Sequence, residues 1–193
     1  VTAQARPDPT WLMHADRPSR DDHALVLQDG RRLAYSDSGD PAGIPVIFMH
    51  GLAGSRHLRH PDDALLLEHG VRLIIPERPG SGDSDPQANR RIADWPRDVI
   101  ALADHLKLQR FAVIGYSAGT PYALATAVAH PDRVAALSIV AAMPPIDRID
   151  DVRDYSPTFR MSLLVAKYTP SLLAPMLRAH VRSARCSTAL VAG

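Results

Sequence analysis

The sequence is poor in cysteine, in long apolar runs and in net charge. Its single cysteine, Cys186, excludes an internal disulfide and a metal site built from cysteines. No uninterrupted apolar run reaches the roughly 18 residues that a membrane-spanning helix needs. No apolar segment of a secretory signal stands near the first residue. The formal net charge of +1 offers no electrostatic attraction for nucleic acid. These absences predict a cytoplasmic protein without a membrane span or a nucleic-acid partner.

Metal and cofactor chemistry also lack a signature in the sequence. Histidine and acidic residues do not cluster at the spacing that is typical of metal ligands. We therefore expect neither a metal site nor a cofactor.

The composition is that of an ordinary globular protein. With 193 residues, of which 46% are hydrophobic and 22% charged, the chain can bury a core. Residues 1–22 carry three prolines and many charges, and we expect them to form a flexible N-terminal arm. Residues 23–145 are predicted to be the folded core. Residues 146–193 are predicted to hold two helices and an irregular tail.

Apolar runs alternate with helical patterns along the core. Strands are predicted at 23–28, 31–36, 45–49, 71–75, 111–114 and 134–141, and the last four are of the buried type. Helices are predicted at 57–69, 95–106, 121–129, 156–168 and 171–181. An Asp-Gly turn signal at 29–30 joins the first two strands into a hairpin. The pattern predicts an α/β fold, with a mostly parallel sheet that is introduced by an antiparallel hairpin and carries helices on both faces.

A Gly-Tyr-Ser-Ala-Gly sequence at 115–119 separates the fifth strand from an alanine-rich helix. A strand, a tight turn and a helix around this pattern are the context of a nucleophile elbow, in which the serine occupies a strained turn. Gly115 and Gly119 would flank Ser117 because a Cβ at either position would collide with the neighbouring strand or helix. The Ser117 hydroxyl would then point outward beside a helix N-terminus. A simple glycine-rich turn from strand to helix is the alternative interpretation.

Two further loop motifs follow neighbouring strands. His50-Gly51-Leu52 follows the third strand, and Glu-Arg-Pro-Gly-Ser-Gly-Asp-Ser at 77–84 follows the fourth. Together with the 115–119 motif, their order and spacing resemble the α/β-hydrolase superfamily, in particular its small bacterial members. That group includes esterases, haloperoxidase-like enzymes and proline-iminopeptidase-like enzymes. The resemblance covers residues 25–142, and the two helices predicted after it look like the start of the family's helical lid.

The resemblance implies a serine hydrolase that acts on a small-molecule acyl compound such as a carboxylic ester. Ser117 would be the nucleophile, and the backbone N–H groups of Ala118 and Leu52 would form the oxyanion hole. His50 is interpreted as structural, and Tyr116 either shapes the acyl pocket or packs against its neighbours. The motif residues that support this geometry are His50, Gly51, Gly115, Tyr116 and Gly119.

Other residues near the motifs have structural interpretations. Glu77 stands where the family often has aspartate, and Arg78 and Asp83 are interpreted as loop scaffolding. Trp95 is interpreted as a core or edge residue of its helix. The leucine and methionine side chains of 161–177 are interpreted as lid residues that cover a substrate cleft.

The resemblance leaves the acid and the histidine of a catalytic triad without an assignment. In this fold the chain order is serine, acid, histidine, and only His130 and His180 follow Ser117. His130 ends the elbow helix, about 20 Å from Ser117, and His180 falls within the second lid-like helix. Asp147 follows the sixth strand, where some relatives place the acid. We therefore expect a hydrolase sequence that is truncated at its C-terminus and has six strands.

Such a truncation has consequences for association and for activity. A sheet that stops after its sixth strand would leave the neighbours of the elbow strand unpaired on one side, and an open edge favours self-association. The isolated chain would carry the nucleophile and the oxyanion hole without the base. A non-catalytic, hydrolase-like protein that binds an apolar ligand is the alternative function, and a truncated product without a function of its own is a third interpretation.

Overall fold

The computed structural model describes residues 22–52, 54–60, 62, 64–142, 155–169, 171–172 and 175. The chain divides into two units, Val1–Met143 and Pro144–Gly193. All of the predicted arm except Asp22 lies outside the described residues. The same holds for Asp147, for most of the helix predicted at 171–181 and for the irregular tail.

Six strands among the described residues form one sheet. They are β1 (Asp22–Val26), β2 (Arg32–Gly39), β3 (Ile44–Met49), β4 (Val71–Pro76), β5 (Phe111–Tyr116) and β6 (Val134–Val140). Their spatial order is β1-β2-β4-β3-β5-β6. β2 pairs antiparallel with β1 and β4, whereas the pairs β3–β4, β3–β5 and β5–β6 are parallel. The predicted α/β fold, a mostly parallel sheet introduced by an antiparallel hairpin, is confirmed.

Four helices accompany these strands in the described ranges. The first unit contains α1 (Ala64–Glu68), α2 (Trp95–His105) and α3 (Thr120–Ala129), and the second contains α4 (Pro157–Tyr168). The side chain of Ser156 accepts a hydrogen bond from the N–H of Phe159 at 3.4 Å. A serine cap followed by a proline is typical of a helix start, and α4 begins where the sequence predicts.

The helix predicted at 57–69 is wrong in its first half, because α1 begins only at Ala64. Pro61 interrupts the predicted helix, and a proline disfavours helical backbone in the residue before it. The Asp62 side chain instead accepts a hydrogen bond from the N–H of Ala64 at 3.0 Å. This bond satisfies one of the backbone donors that a helix start leaves without an acceptor.

The core of the first unit is formed by the central strands and α2. Ile47 of β3, Ile74 of β4 and Val113 of β5 are completely buried. Val99 and Leu102, on the predicted apolar face of α2, belong to the same cluster. This cluster holds β3, β4 and β5 in register, so that their carboxyl ends form one edge of the sheet.

The register of β3 and β5 determines which loops meet at that edge. Met49, the last residue of β3, lies opposite Gly115 of β5. The loop that begins at His50 and the turn that begins at Ser117 therefore start side by side. The carboxyl ends of parallel strands are where α/β proteins place their sites.

The prediction of a buried sixth strand is wrong. Every residue of β6 after Val134 is exposed, and Leu137 and Val140 are 39% and 45% exposed. Successive side chains of a strand point to opposite faces, so the described residues leave both faces of β6 largely uncovered. In addition, β6 pairs only with β5, and no described strand lies along its other side. β6, a neighbour of the elbow strand β5, is therefore the strand that is left without a partner on one side among the described residues. Self-association through this edge stays a prediction.

An ion pair connects the hairpin to α2. Arg31 donates to both oxygens of the Asp98 carboxylate, at 2.8 and 2.9 Å, and the Asp98 side chain is only 3% exposed. Its hydrogen bonds with Asp98 raise the pKa of Arg31 above its ordinary value. Removing one partner of such a pair is costly, because the other charge stays buried without compensation.

Asp98→Asn is expected to lower the free energy of unfolding by about 2 kcal/mol, because the amide keeps the shape of the carboxylate and loses its charge. Urea unfolding followed by circular dichroism measures the loss. Asp104→Asn is the matched control: Asp104 pairs with Arg133 at 2.6 Å, but its side chain is 60% exposed. Exposed pairs contribute about 0–1 kcal/mol. Equal losses in the two variants would contradict the prediction.

Candidate active site

The turn after β5 holds Ser117 in a strained backbone conformation. Its φ is +51°, in the left-handed region. Ser117 begins a short 3₁₀ turn, Ser117–Gly119, that leads directly into α3. A positive φ is uncommon and unfavourable for a residue that carries a Cβ, and residues held in this way concentrate at functional sites.

The two glycines of the elbow allow close backbone approach on both sides. A Cβ on Gly115 would lie 2.7 Å from the Cβ of Ala123 in α3. A Cβ on Gly119 would overlap the carbonyl oxygen of Met49 and would lie 2.8 Å from that of His50. The elbow is therefore packed between α3 and the end of β3. Both glycines stand where a Cβ would collide with the neighbouring strand or helix, as the sequence predicts.

The loop after β3 lies against the elbow. A Cβ on Gly51 would be 3.4 Å from the Cβ of Ser117 and 3.3 Å from Cδ1 of Tyr116. Leu52 follows and is 66% exposed. The exposed Tyr116 ring stacks on Phe48 with 6.3 Å between the ring centroids. The structure thus brings the serine together with the loop that was predicted to supply an oxyanion donor.

The two predicted backbone donors, the N–H groups of Ala118 and Leu52, belong to two different segments of the chain. Ala118 is in the turn at the start of α3, where N–H groups have no acceptor within the helix and the helix dipole is positive. Leu52 lies in the loop beside Ser117.

Arg78 and His50 hold the carbonyl groups of the loop. Arg78 donates to the carbonyl oxygens of His50 and Gly51, the second at 2.8 Å. Nδ1 of His50 lies 2.9 Å from the same Gly51 oxygen, and because a carbonyl can only accept, Nδ1 carries the proton. Nε2 of His50 is buried and has no partner in the described part of the chain. Burial lowers the pKa of His50 to about 4, and the charge of Arg78 acts in the same direction.

Arg56 joins the same loop to the 77–84 motif, and the sequence contains no signal for this role. Its guanidinium binds Glu77 at 2.8 Å and Asp83 at 2.7 Å, and it also binds Asp22 at 3.0 Å. The fully buried Glu77 accepts the N–H of Asp83 at 2.9 Å. A Cβ on Gly82 would overlap the Glu77 carboxylate. The 77–84 motif therefore acts as a scaffold for the loop after β3.

Ser117 makes no hydrogen bond to a histidine of the described residues. His130 follows the last residue of α3, so it lies at the end of that helix opposite to Ser117. His180 is outside the described residues. Within the same ranges, no group of three histidine, cysteine or acidic side chains could hold a metal ion.

The helices in the described ranges include none long and apolar enough to cross a membrane.

The proteins that are similar to this chain belong to one fold family but have different activities. The model of the alpha/beta hydrolase fold family matches residues 44–185. A non-heme chloroperoxidase of Streptomyces lividans is 37% identical over 124 residues, which are 63% of this chain and 45% of that protein. A proline iminopeptidase of Xylella fastidiosa (strain 9a5c) is 33% identical over 122 residues, which are 58% of this chain and 37% of that protein. The crystal structure of an esterase from Rhodococcus sp. ECU1013 has a TM-score of 0.64 and 25% identity, covering 83% of this chain and 60% of that one. The chain spans about half the length of the curated relatives it matches.

Proposed function

This chain belongs to the alpha/beta hydrolase fold family, and on that basis we propose that it carries the nucleophile and oxyanion hole of a serine hydrolase acting on small carboxylic esters. The observation that carries the proposal is the strained Ser117, which follows β5 with a φ of +51° and lies beside the loop after β3. A nucleophile exposed at the edge of a sheet requires this turn. The likeness to an esterase structure supports an ester as the class of substrate.

In the proposed reaction, Oγ of Ser117 attacks the carbonyl carbon of the ester while its proton passes to a histidine outside the described residues. The carbonyl π electrons move to the oxygen, which becomes an oxyanion. The tetrahedral intermediate then expels the alcohol, to which the histidine returns the proton, and an acyl-serine ester remains. Water attacks this ester in a second addition, which releases the carboxylic acid and restores the serine.

Two backbone N–H groups would stabilise the oxyanion in both additions. The N–H of Ala118 lies at the positive end of α3, and the N–H of Leu52 comes from the loop beside the serine. Such donors act without reorganisation, and the loss of one typically raises the barrier by about 2.7–4 kcal/mol. The exposed side chains of Leu52 and Tyr116 would give the acyl group an apolar surface.

A fluorophosphonate probe tests the proposal directly, because it phosphonylates an activated serine through an oxyanion-like transition state. We expect a covalent adduct on Ser117 by peptide mass spectrometry and no adduct in Ser117→Ala. Ser138→Ala is the matched control, since Ser138 is an exposed serine on the neighbouring strand β6, and this variant should be labelled like the unchanged protein.

The pH dependence of the labelling rate tells how the serine is activated. If a histidine of this chain serves as the base, the rate should rise with pH and level off above about 6.5–7. If the base is not in this chain, the rate should rise with hydroxide concentration and show no plateau. Absence of an adduct at every pH, together with apolar-ligand binding that Ser117→Ala leaves unchanged, would contradict the proposal and favour the non-catalytic alternative.

A further inference from the structure

Arg78 is a buried cation, and the partners that the described residues give it are all uncharged. It is 5% exposed, it donates to the carbonyl oxygens of His50 and Gly51, and its guanidinium lies 5.2 Å from the centre of the Tyr122 ring. Within the described ranges, no carboxylate forms an ion pair with it. Burial lowers the pKa of Arg78 below its ordinary value. Three other arginines with little exposure bind carboxylates: Arg31, Arg56 and Arg72.

The position of Arg78 is not explained by stability. Transfer of a charge into the interior is expensive unless an opposite charge compensates it. Carbonyl oxygens and an aromatic face offset only part of that cost. Unusual electrostatic arrangements of this kind are found where a protein needs a field for binding or chemistry.

The Gly51–Leu52 peptide connects Arg78 to the proposed oxyanion hole. The described residues contain no cis peptide bond, so the Gly51 carbonyl and the Leu52 N–H point in opposite directions. The Gly51 oxygen is held by Arg78 at 2.8 Å and by Nδ1 of His50 at 2.9 Å. With the carbonyl held toward Arg78, the N–H of Leu52 is directed away from it.

A hydrogen bond from a cation to a carbonyl also changes the amide on its other side. Electron density shifts toward the carbonyl oxygen, so the N–H of the same peptide becomes a stronger donor. Hydrogen bonds in a chain strengthen one another in this way, by about 10–30% per bond. The Arg78 end of this chain of hydrogen bonds is shielded from water, because Arg78 and His50 are both buried.

We propose that Arg78 is a positioning residue, which directs and polarises the Leu52 N–H through the Gly51 carbonyl. The inference rests on the proposed function, in which this N–H stabilises the oxyanion at Ser117. Arg78 itself touches neither the serine nor the substrate. Its effect must therefore appear in the rate of the chemical step and not in the affinity for the reagent.

The test compares labelling kinetics of the full chain with those of Arg78→Lys and Arg78→Gln. Lysine keeps the charge but cannot donate to two carbonyls in a fork, and glutamine keeps a donor without the charge. We expect kinact for a fluorophosphonate to fall by about 10–100-fold in both variants, less than for the complete loss of a donor, with KI unchanged. Arg72→Lys is the matched control: Arg72 binds Asp37 through two nitrogens at the start of β4, far along the strand from the loops, and should keep the original kinact.

A second measurement follows the Leu52 amide itself in ¹⁵N spectra of the same proteins. In Arg78→Lys the Leu52 amide proton should shift and its heteronuclear NOE should fall, while the Ala118 signal stays in place. An unchanged kinact and an unchanged Leu52 signal in a variant that is labelled at Ser117 would overturn the role of Arg78 alone. Absence of labelling at Ser117 in the unchanged protein would overturn the proposed function and, with it, the oxyanion role of the loop.

Discussion

Gly119→Ala is expected to lower the free energy of unfolding by more than about 3 kcal/mol, because the added methyl group meets backbone atoms that cannot move away. The new Cβ would overlap the carbonyl oxygen of Met49 and would lie 2.7 Å from its carbonyl carbon. These are backbone atoms in the last residue of a central strand, and they have no rotamer that could relieve the collision. Either α3 or the end of β3 must move.

Gly30→Ala is the matched control for this substitution. Gly30 has a φ of +84° in the hairpin turn, but nothing lies within 4 Å of the position of a Cβ. Its cost is limited to the backbone strain of a left-handed residue, about 1–2 kcal/mol. Urea unfolding followed by the fluorescence of Trp95, which is buried in the core, measures both variants. If Gly119→Ala unfolded no more easily than Gly30→Ala, the close approach of the elbow to β3 would be refuted.

The elbow could be predicted from the sequence because its constraints are local. The strand, the strained serine and the two glycines lie within a short segment, and each follows from steric rules that do not depend on the rest of the chain. The hairpin and the parallel strands could be predicted for the same reason, since turn signals and apolar runs are local patterns.

The roles of the charged residues around the loop depend on contacts between distant segments. Arg78 could only be interpreted as scaffolding, because its carbonyl acceptors are 27 and 28 positions away along the chain. They lie beside it because β4 pairs with β3 in the sheet. No sequence pattern predicts a role for Arg56, because its partner Glu77 is 21 positions away along the chain. The sequence of one loop does not reveal the order of the strands in the sheet, and this order determines which loops lie side by side.

The exposure of β6 could not be predicted for a related reason. An apolar run shows that a strand can be buried, but the actual burial depends on what covers its faces and its free edge. In β6 the partner on one side is β5, and the described residues provide none on the other side. The apolar run at 134–140 therefore predicts the strand correctly, but it does not predict that the side chains of this strand are exposed.

His50 is expected to make the folded state sensitive to acid. The pKa of His50 is lowered from 6.5 to about 4, first by burial and then by the charge of Arg78, while the bond to Gly51 and the charge of Glu77 act in the opposite direction. Between these two pH values the unfolded chain binds a proton that the folded chain does not bind. Stability must therefore fall as the pH falls through this range. The full effect is about 3 kcal/mol.

Urea unfolding at a series of pH values from 7 to 4 measures this loss of stability. The variant His50→Asn isolates the part of the loss that is caused by protonation of His50. The asparagine side chain can still donate to the Gly51 carbonyl, but it does not titrate, so the variant should lose about 3 kcal/mol less than the unchanged protein over the same range. The carboxylates that titrate near pH 4 are common to both proteins and cancel in the difference. Parallel curves for the two proteins would mean that His50 accepts a proton as readily in the folded chain as in the unfolded one. In that case His50 could not be the neutral, buried donor that holds the Gly51 carbonyl beside Arg78.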